Sequence, residues 1–137
     1  MQKQYLVTGA NGHLGSTIVR LLRKEHAEVR GLLGPGETAE DCDNVCYISG
    51  DVRKTETLEE LFARGAGKQT VVIHTAGIVD IADKVSPKIY DVNVNGTKNI
   101  INLCRKYKVD RLVYVSSVHA IPEADKLSVI AETKQFS

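Results

Sequence analysis

The chain has 137 residues, 42% hydrophobic and 26% charged, the size and balance of one ordinary domain able to bury a real core. Lys and Arg number 18 against 17 for Asp and Glu, with no run of like charge, which argues against nucleic acid or an anionic membrane as partner and leaves small anions recognised locally. Three cysteines, odd in number and without a CxxC pair, and four histidines (His13, His26, His74, His119) without ligand spacing predict reduced thiols in a cytoplasmic protein and no metal.

The first nine residues lack a long apolar core and a cleavage site, and no apolar run approaches membrane-spanning length, so neither secretion nor insertion is expected. Residues 4–8 form a short apolar β run, followed by Thr8-Gly-Ala-Asn-Gly-His-Leu-Gly15 and then by Leu14, Ile18, Val19, Leu21 and Leu22 at helical spacing. Residues 28–33 read as a second strand broken by Gly34-Pro35-Gly36, and residues 45–48 as a third, ending in Gly50-Asp51. Residues 55–64 carry Leu58, Leu61 and Phe62 on one helical face. The unbroken apolar run at 70–74 suits the centre of a parallel sheet covered on both faces. A long helix is predicted from about 87 to 107, with Ile89, Val92, Ile100, Ile101 and Cys104 in its pattern, and a fifth strand at 112–115. Alternating strands and helices predict an α/β fold, a Rossmann-like doubly wound parallel sheet of about five strands joined by right-handed crossovers.

Gly9, Gly12 and Gly15 lie at the first strand-to-helix turn. Glycine there permits a tight turn, lets backbone approach a pyrophosphate, and lets helix pack close to strand. The amides of the loop and the helix N-terminus would face phosphates. A purely structural glycine turn is the competing reading, and its place at the first βα turn favours the nucleotide.

The GxxGxxG spacing resembles the extended branch of the short-chain dehydrogenase/reductase superfamily. Four further elements follow in order within residues 4–121: Gly50-Asp51-Val52 is similar to the adenine contact, His74-Thr75-Ala76-Gly77 to the H-x-A-[AG] loop along the cofactor, Asn93-Val-Asn95-Gly96-Thr97 to the N-V-x-G-T element, and Val113-Tyr-Val-Ser-Ser117 to the strand that delivers the catalytic serine. The resemblance implies cofactor contacts at Gly9, Asn11, Gly12, His13, Leu14, Gly15, Asp51, Val52, Thr75, Ala76, Gly77 and Asn95, and an active-site hydroxyl at Ser117. Each has a plainer alternative: Asp51 as a helix cap, His74 as a hydrogen-bonded strand end, Gly96 as a site of close helix packing, Cys104 as core.

The cofactor reads as NAD(P). A carboxylate ending the second strand would favour NAD and an arginine NADP. The sequence has Leu33-Gly34 there, with Arg30 inside the strand and able to point away from the site, and Glu37 just beyond the turn and able to swing back; the lack of a carboxylate at the expected place leans the reading slightly towards NADP.

In this superfamily the proton-transferring group is a tyrosine followed four residues later by lysine. None of the tyrosines at 5, 47, 90, 107 and 114 has that partner, so the 137 residues alone are expected to be inactive. The reading is therefore an incomplete NAD(P)-binding domain at 1–121 and a polar tail or loop at 122–137. They would belong to an oxidoreductase or nucleotide-sugar epimerase/dehydratase acting on a small-molecule substrate. The alternative is a noncatalytic dinucleotide module or sensor. An unpaired sheet edge predicts self-association or a homo-oligomer.

Overall fold

A computed structural model of the chain describes residues 3–63, 68–77 and 87–116. Five strands, β1 (Lys3–Thr8), β2 (Glu28–Leu33), β3 (Val45–Ser49), β4 (Gln69–His74) and β5 (Arg111–Tyr114), form one parallel sheet in the order β3-β2-β1-β4-β5. That order is the Rossmann-like arrangement, with the crossover direction reversing between β1 and β4. The longest registers join β1 to β4, from Lys3 opposite Gln69 to Thr8 opposite His74. The apolar β4 run therefore lies one strand from the centre, as its lack of polar alternation requires.

Helices cover both faces: α1 (His13–Lys24) on one, and α2 (Glu59–Ala63) and α4 (Gly96–Lys106) on the other. Strand periodicity sorts the core. Leu6 and Val7 are adjacent and fully buried but belong to different clusters, Leu6 with Leu32, Leu58, Leu61, Val72 and Ile100, Val7 with Ala10, Val19, Val29 and Val45. The same alternation puts Arg30 on the α2 face, where Nη1 donates to the Leu61 carbonyl at 3.5 Å.

Two predicted helices differ in detail. Residues 55–64 resolve into a 3-10 turn, Thr55–Thr57, and the short α2. The predicted 87–107 helix is a short α3 (Pro87–Tyr90), a π-helical turn Asp91–Asn95, and α4. The widened turn coincides with a side-chain competitor for its backbone, since the Thr97 hydroxyl donates to the Asn93 carbonyl at 2.8 Å. Gly96 then passes so close to the segment after β3 that a Cβ would stand 2.7 Å from Val52 Cγ2. Close packing is thus the reason for glycine there.

Candidate functional site

A cleft of about 420 Å³ opens at the carboxyl ends of the strands, lined by the first glycine loop, the segments after β2 and β3, and residues 75–77. This is the topological switch point, where doubly wound sheets take their ligands. Gly9 has φ of 64°, and a Cβ on it would lie 2.9 Å from the Ala76 amide nitrogen. A Cβ on Gly15 would stand 1.9 Å from the Gly9 carbonyl oxygen, so α1 can seat against the loop only with glycine at that position. The turn is closed by the Gly12 amide donating to the Gly9 carbonyl at 3.0 Å. The N-cap of α1 is Gly12, with no side-chain cap and no acidic residue in the first turn. His13, Leu14 and Gly15, whose amides belong to the first turn and have no intrahelical partner, line the same cleft at the positive end of the helix dipole. A glycine cradle of this form with an uncapped helix start fits a pyrophosphate.

After β2 the chain turns back, with the Glu37 amide donating to the Gly34 carbonyl at 3.1 Å. Glu37 Oε1 lies 3.1 Å from the place a Cβ of Gly34 would occupy, and Gly34, Pro35 and Glu37 all line the cleft. The Gly-Pro-Gly turn thus brings a carboxylate to the end of β2 although none occupies that place in the sequence.

After β3, Asp51 is buried at the cleft and held by Arg53, which reaches it with Nε at 3.0 Å from Oδ1 and Nη2 at 2.7 Å from Oδ2. The Arg53 backbone amide also donates to Oδ1 at 3.0 Å. The guanidinium bond is the main reason the Asp51 carboxyl lies below its ordinary pKa, against the opposing effect of burial. The backbone amide of Asp51 donates to Thr57 Oγ1 at 2.8 Å, tying the loop to the 3-10 turn.

At the end of β4 a polar network connects four elements. Thr8 Oγ1 accepts the amides of Thr75 at 3.0 Å and Ala76 at 3.1 Å, which leaves its own hydrogen to donate to His74 Nδ1 at 2.6 Å. His74 Nε2 then donates to Thr97 Oγ1 at 3.0 Å, and Thr97 to the Asn93 carbonyl. Every proton position is fixed by the next, and the ring is neutral. Burial pushes the His74 pKa down to about 4. The imidazole stacks on Tyr114 and faces a second, apolar cavity rather than the cleft. The ring thereby orients the Thr8 hydroxyl, which in turn holds the amides of Thr75 and Ala76.

Of the sequence-predicted residues, Gly9, Gly12, His13, Leu14, Gly15, Asp51, Val52, Thr75, Ala76 and Gly77 line the cleft together. Asn11 and Asn95 do not. The Asn11 side chain is exposed and donates to the Thr38 carbonyl at 3.5 Å. Asn95 Nδ2 is taken by Asp91 Oδ1 at 2.9 Å, while Asn93 presents its Oδ1 to Gly77, 3.2 Å from a Cβ built there. The extra residue of the π-helical turn shifts the register by which these two asparagines would be told apart. Ser117, His119 and the tail 122–137 lie outside the described residues. Sequence reasoning missed Arg53, Lys88 and Val92, which also line the cleft. The two-residue offset of Arg53 from Asp51 was the available signal.

Among the described residues no cluster of three or more His, Cys, Asp or Glu side chains could hold a metal ion, and no helix is long and apolar enough to cross a membrane.

Known proteins agree with this geometry. The chain is 40% identical over 126 residues to 3 beta-hydroxysteroid dehydrogenase type 7 of Mus musculus, covering 85% of this chain and 33% of that protein. It is 35% identical over 124 residues to the uncharacterized protein 052L of Frog virus 3 (isolate Goorha), covering 86% and 34%. The chain thus spans about a third of the length of these curated relatives. Among solved structures, UDP-glucose 4-epimerase of Thermus thermophilus in complex with NAD superposes with a TM-score of 0.83 at 30% identity, over 98% of this chain and 44% of that one. A uronate dehydrogenase mutant from Agrobacterium tumefaciens complexed with NAD gives 0.72 at 27% identity, over 88% and 43%. The model of the 3-beta hydroxysteroid dehydrogenase/isomerase family matches residues 6–136, and the chain belongs to that family.

Proposed function

We propose that residues 1–121 are the NAD-binding portion of an oxidoreductase of the extended short-chain dehydrogenase/reductase kind. The observation that carries the reading is the glycine cradle, closed by Gly9 and Gly15 under an uncapped α1, with the Glu37 carboxylate folded back beside it. The cradle would hold the pyrophosphate by backbone amides. Glu37 would accept from the ribose hydroxyls, and Asp51 and Arg53 would meet the base, in the order in which β1, β2 and β3 deliver them.

This arrangement favours NAD over NADP, against the lean drawn from the sequence. Arg30 cannot serve a 2′-phosphate from this position, because it is buried under α2 beside Glu28 and bonded to the Leu61 carbonyl. A second phosphate near Glu37 would instead meet a like charge.

When bound, the nicotinamide supplies a hydride acceptor or donor. The chain's own part is to fix its position: residues 75–77, pinned by Thr8 and His74, would line the nicotinamide half. Ser117, the hydroxyl expected from the sequence, would polarise the substrate oxygen. The mammalian relative is named for a 3 beta-hydroxysteroid, and the solved neighbours for a UDP-sugar and a uronate. The reaction we assign to the whole protein is hydride exchange between the cofactor and a secondary alcohol or ketone. The family match supports this reading over a noncatalytic module. Half-exposed Val113 and Tyr114 on β5 support self-association, read by sedimentation.

Isothermal titration with NAD+ and NADP+ tests the cofactor assignment. NAD+ should bind at least about tenfold more tightly, the scale of one lost or repelled charged contact. Preference for NADP+ would overturn the specificity, and binding of neither would overturn the site.

A further inference from the structure

The base end of the cleft presents two opposite hydrogen-bonding characters side by side. A carboxylate offers about four acceptor positions, and three Arg53 donors fill three of those on Asp51: the backbone amide and Nε at Oδ1 and Nη2 at Oδ2, the single Nε hydrogen also leaning towards Oδ2 at 3.1 Å. One acceptor position remains, on Oδ2. A guanidinium carries five N–H donors, of which Asp51 takes Nε–H and one Nη2–H. Among the described residues the remaining Nη donors have no hydrogen-bond acceptor, and Asp91 acts on Arg53 only at longer range. The Arg53 side chain is 30% exposed and that of Asp51 is 11% exposed, so the pair forms a fixed wall of the cleft rather than a loose surface contact.

We propose that the Asp51–Arg53 pair makes the base subsite accept a 6-oxopurine dinucleotide as well as the 6-aminopurine one, with Arg53 the residue that sets this tolerance. The inference rests on the dinucleotide reading above. An adenine offers a donor at its 6-amino group and an acceptor at ring nitrogen 1; hypoxanthine offers the reverse, an acceptor at its 6-oxo group and a donor at ring nitrogen 1. A lone aspartate would select the amino form, because an oxo group would face a carboxylate with no proton between them. The paired wall satisfies either base. The 6-amino hydrogen goes to Asp51 while ring nitrogen 1 accepts from Arg53, or the ring N–H goes to Asp51 while the 6-oxo group accepts from Arg53. No proton transfer is required in either arrangement.

The test is isothermal titration of the chain with NAD+ and with nicotinamide hypoxanthine dinucleotide. The two dissociation constants should agree within about fivefold in the unmodified chain. Arg53→Ala removes one bond from either base but leaves only the 6-oxo group facing the Asp51 carboxylate with no proton between them, so it should weaken the hypoxanthine form relative to the adenine form by at least about tenfold. Arg53→Lys keeps the charge but loses the fork, and should move the ratio in the same direction, which covers the case of an Arg53→Ala chain that does not fold. Discrimination against hypoxanthine beyond about fivefold in the unmodified chain, or a ratio that neither substitution moves, overturns the proposal while leaving the NAD site intact. Failure of both dinucleotides to bind would remove the dinucleotide reading itself and this inference with it.

Discussion

Thr8 Oγ1 and His74 Nδ1 lie 2.6 Å apart across the carboxyl ends of β1 and β4, and the hydroxyl is the donor because its lone pairs already hold the amides of Thr75 and Ala76. A protonated imidazole would place a second hydrogen in that gap. The fold therefore selects the neutral ring, and burial moves its pKa from 6.5 to about 4. A depressed histidine pKa means that the unfolded chain binds the proton more readily. Its contribution is fully present above pH 6.5 and is lost as pH falls through the interval down to about 4. Denaturant unfolding at pH 7.5 and pH 5 should show a loss of about 2 kcal/mol from this group. His74→Gln should flatten that slope, and an unchanged slope in the variant would contradict the assignment.

The glycine loop makes a sharper structural demand at one position than at another. Gly15→Ala drives a Cβ to 1.9 Å from the Gly9 carbonyl oxygen, a backbone atom, and no rotamer can move the Cβ away. The helix must move off the loop, at a cost of about 3 kcal/mol or more, and NAD+ binding should fall by more than about tenfold. Gly12→Ala meets only the Gly9 carbonyl, at 3.2 Å, and should cost about 1 kcal/mol or less. Thermal melts of the two variants check the contrast. Equal losses would mean that the turn, not the seating of α1, limits the site.

Glu37 should control the choice between dinucleotides. Glu37→Gln removes the like charge that a 2′-phosphate would meet, and Glu37→Arg supplies a partner for it. The ratio of NAD+ to NADP+ affinity should drop by about tenfold in the first variant and invert in the second. Titration of each variant with both cofactors measures this, and a ratio insensitive to either change would move the specificity elsewhere.

The strands were legible because their signals are local: Val, Ile and Leu runs bounded by glycine, proline or aspartate gave each of the five to within about a residue at either end. The glycine loop was legible for the same reason, since its place after the first strand identifies it. Glu37 beyond the Gly-Pro-Gly turn reads as able to swing back, but no periodicity reports whether a chain reverses, so the bare end of β2 decided the lean. Arg30 was decidable in principle, because strand alternation puts it on the face of Leu32, opposite Val29. Asn95 was favoured because it stands beside Gly96 in the family-like element; in the fold its side chain bonds Asp91, and Asn93 is the asparagine beside Gly77.

Helix α4 and the loop after β3 are pressed together at Gly96 and Val52, and this contact should be visible as a coupling energy. A Cβ on Gly96 would meet Val52 Cγ2 at 2.7 Å and Cβ at 3.1 Å; alanine at 52 removes the first, closer contact and keeps the second. Gly96→Ala should cost about 1–3 kcal/mol through overpacking, despite alanine's better helix propensity. Val52→Ala should cost about 1–2 kcal/mol, because Val52 is 7% exposed and packed in the cluster of Leu6 and Ile100. Combined, the two should be less destabilising than their sum by at least about 0.5 kcal/mol, since the alanine at 52 vacates the space the new methyl needs. Additive losses in denaturant unfolding would show that α4 yields as a whole instead. The same variants read the link to the site: Gly96→Ala should weaken NAD+ binding by displacing Val52 from the cleft wall, and Val52→Ala should restore part of that loss.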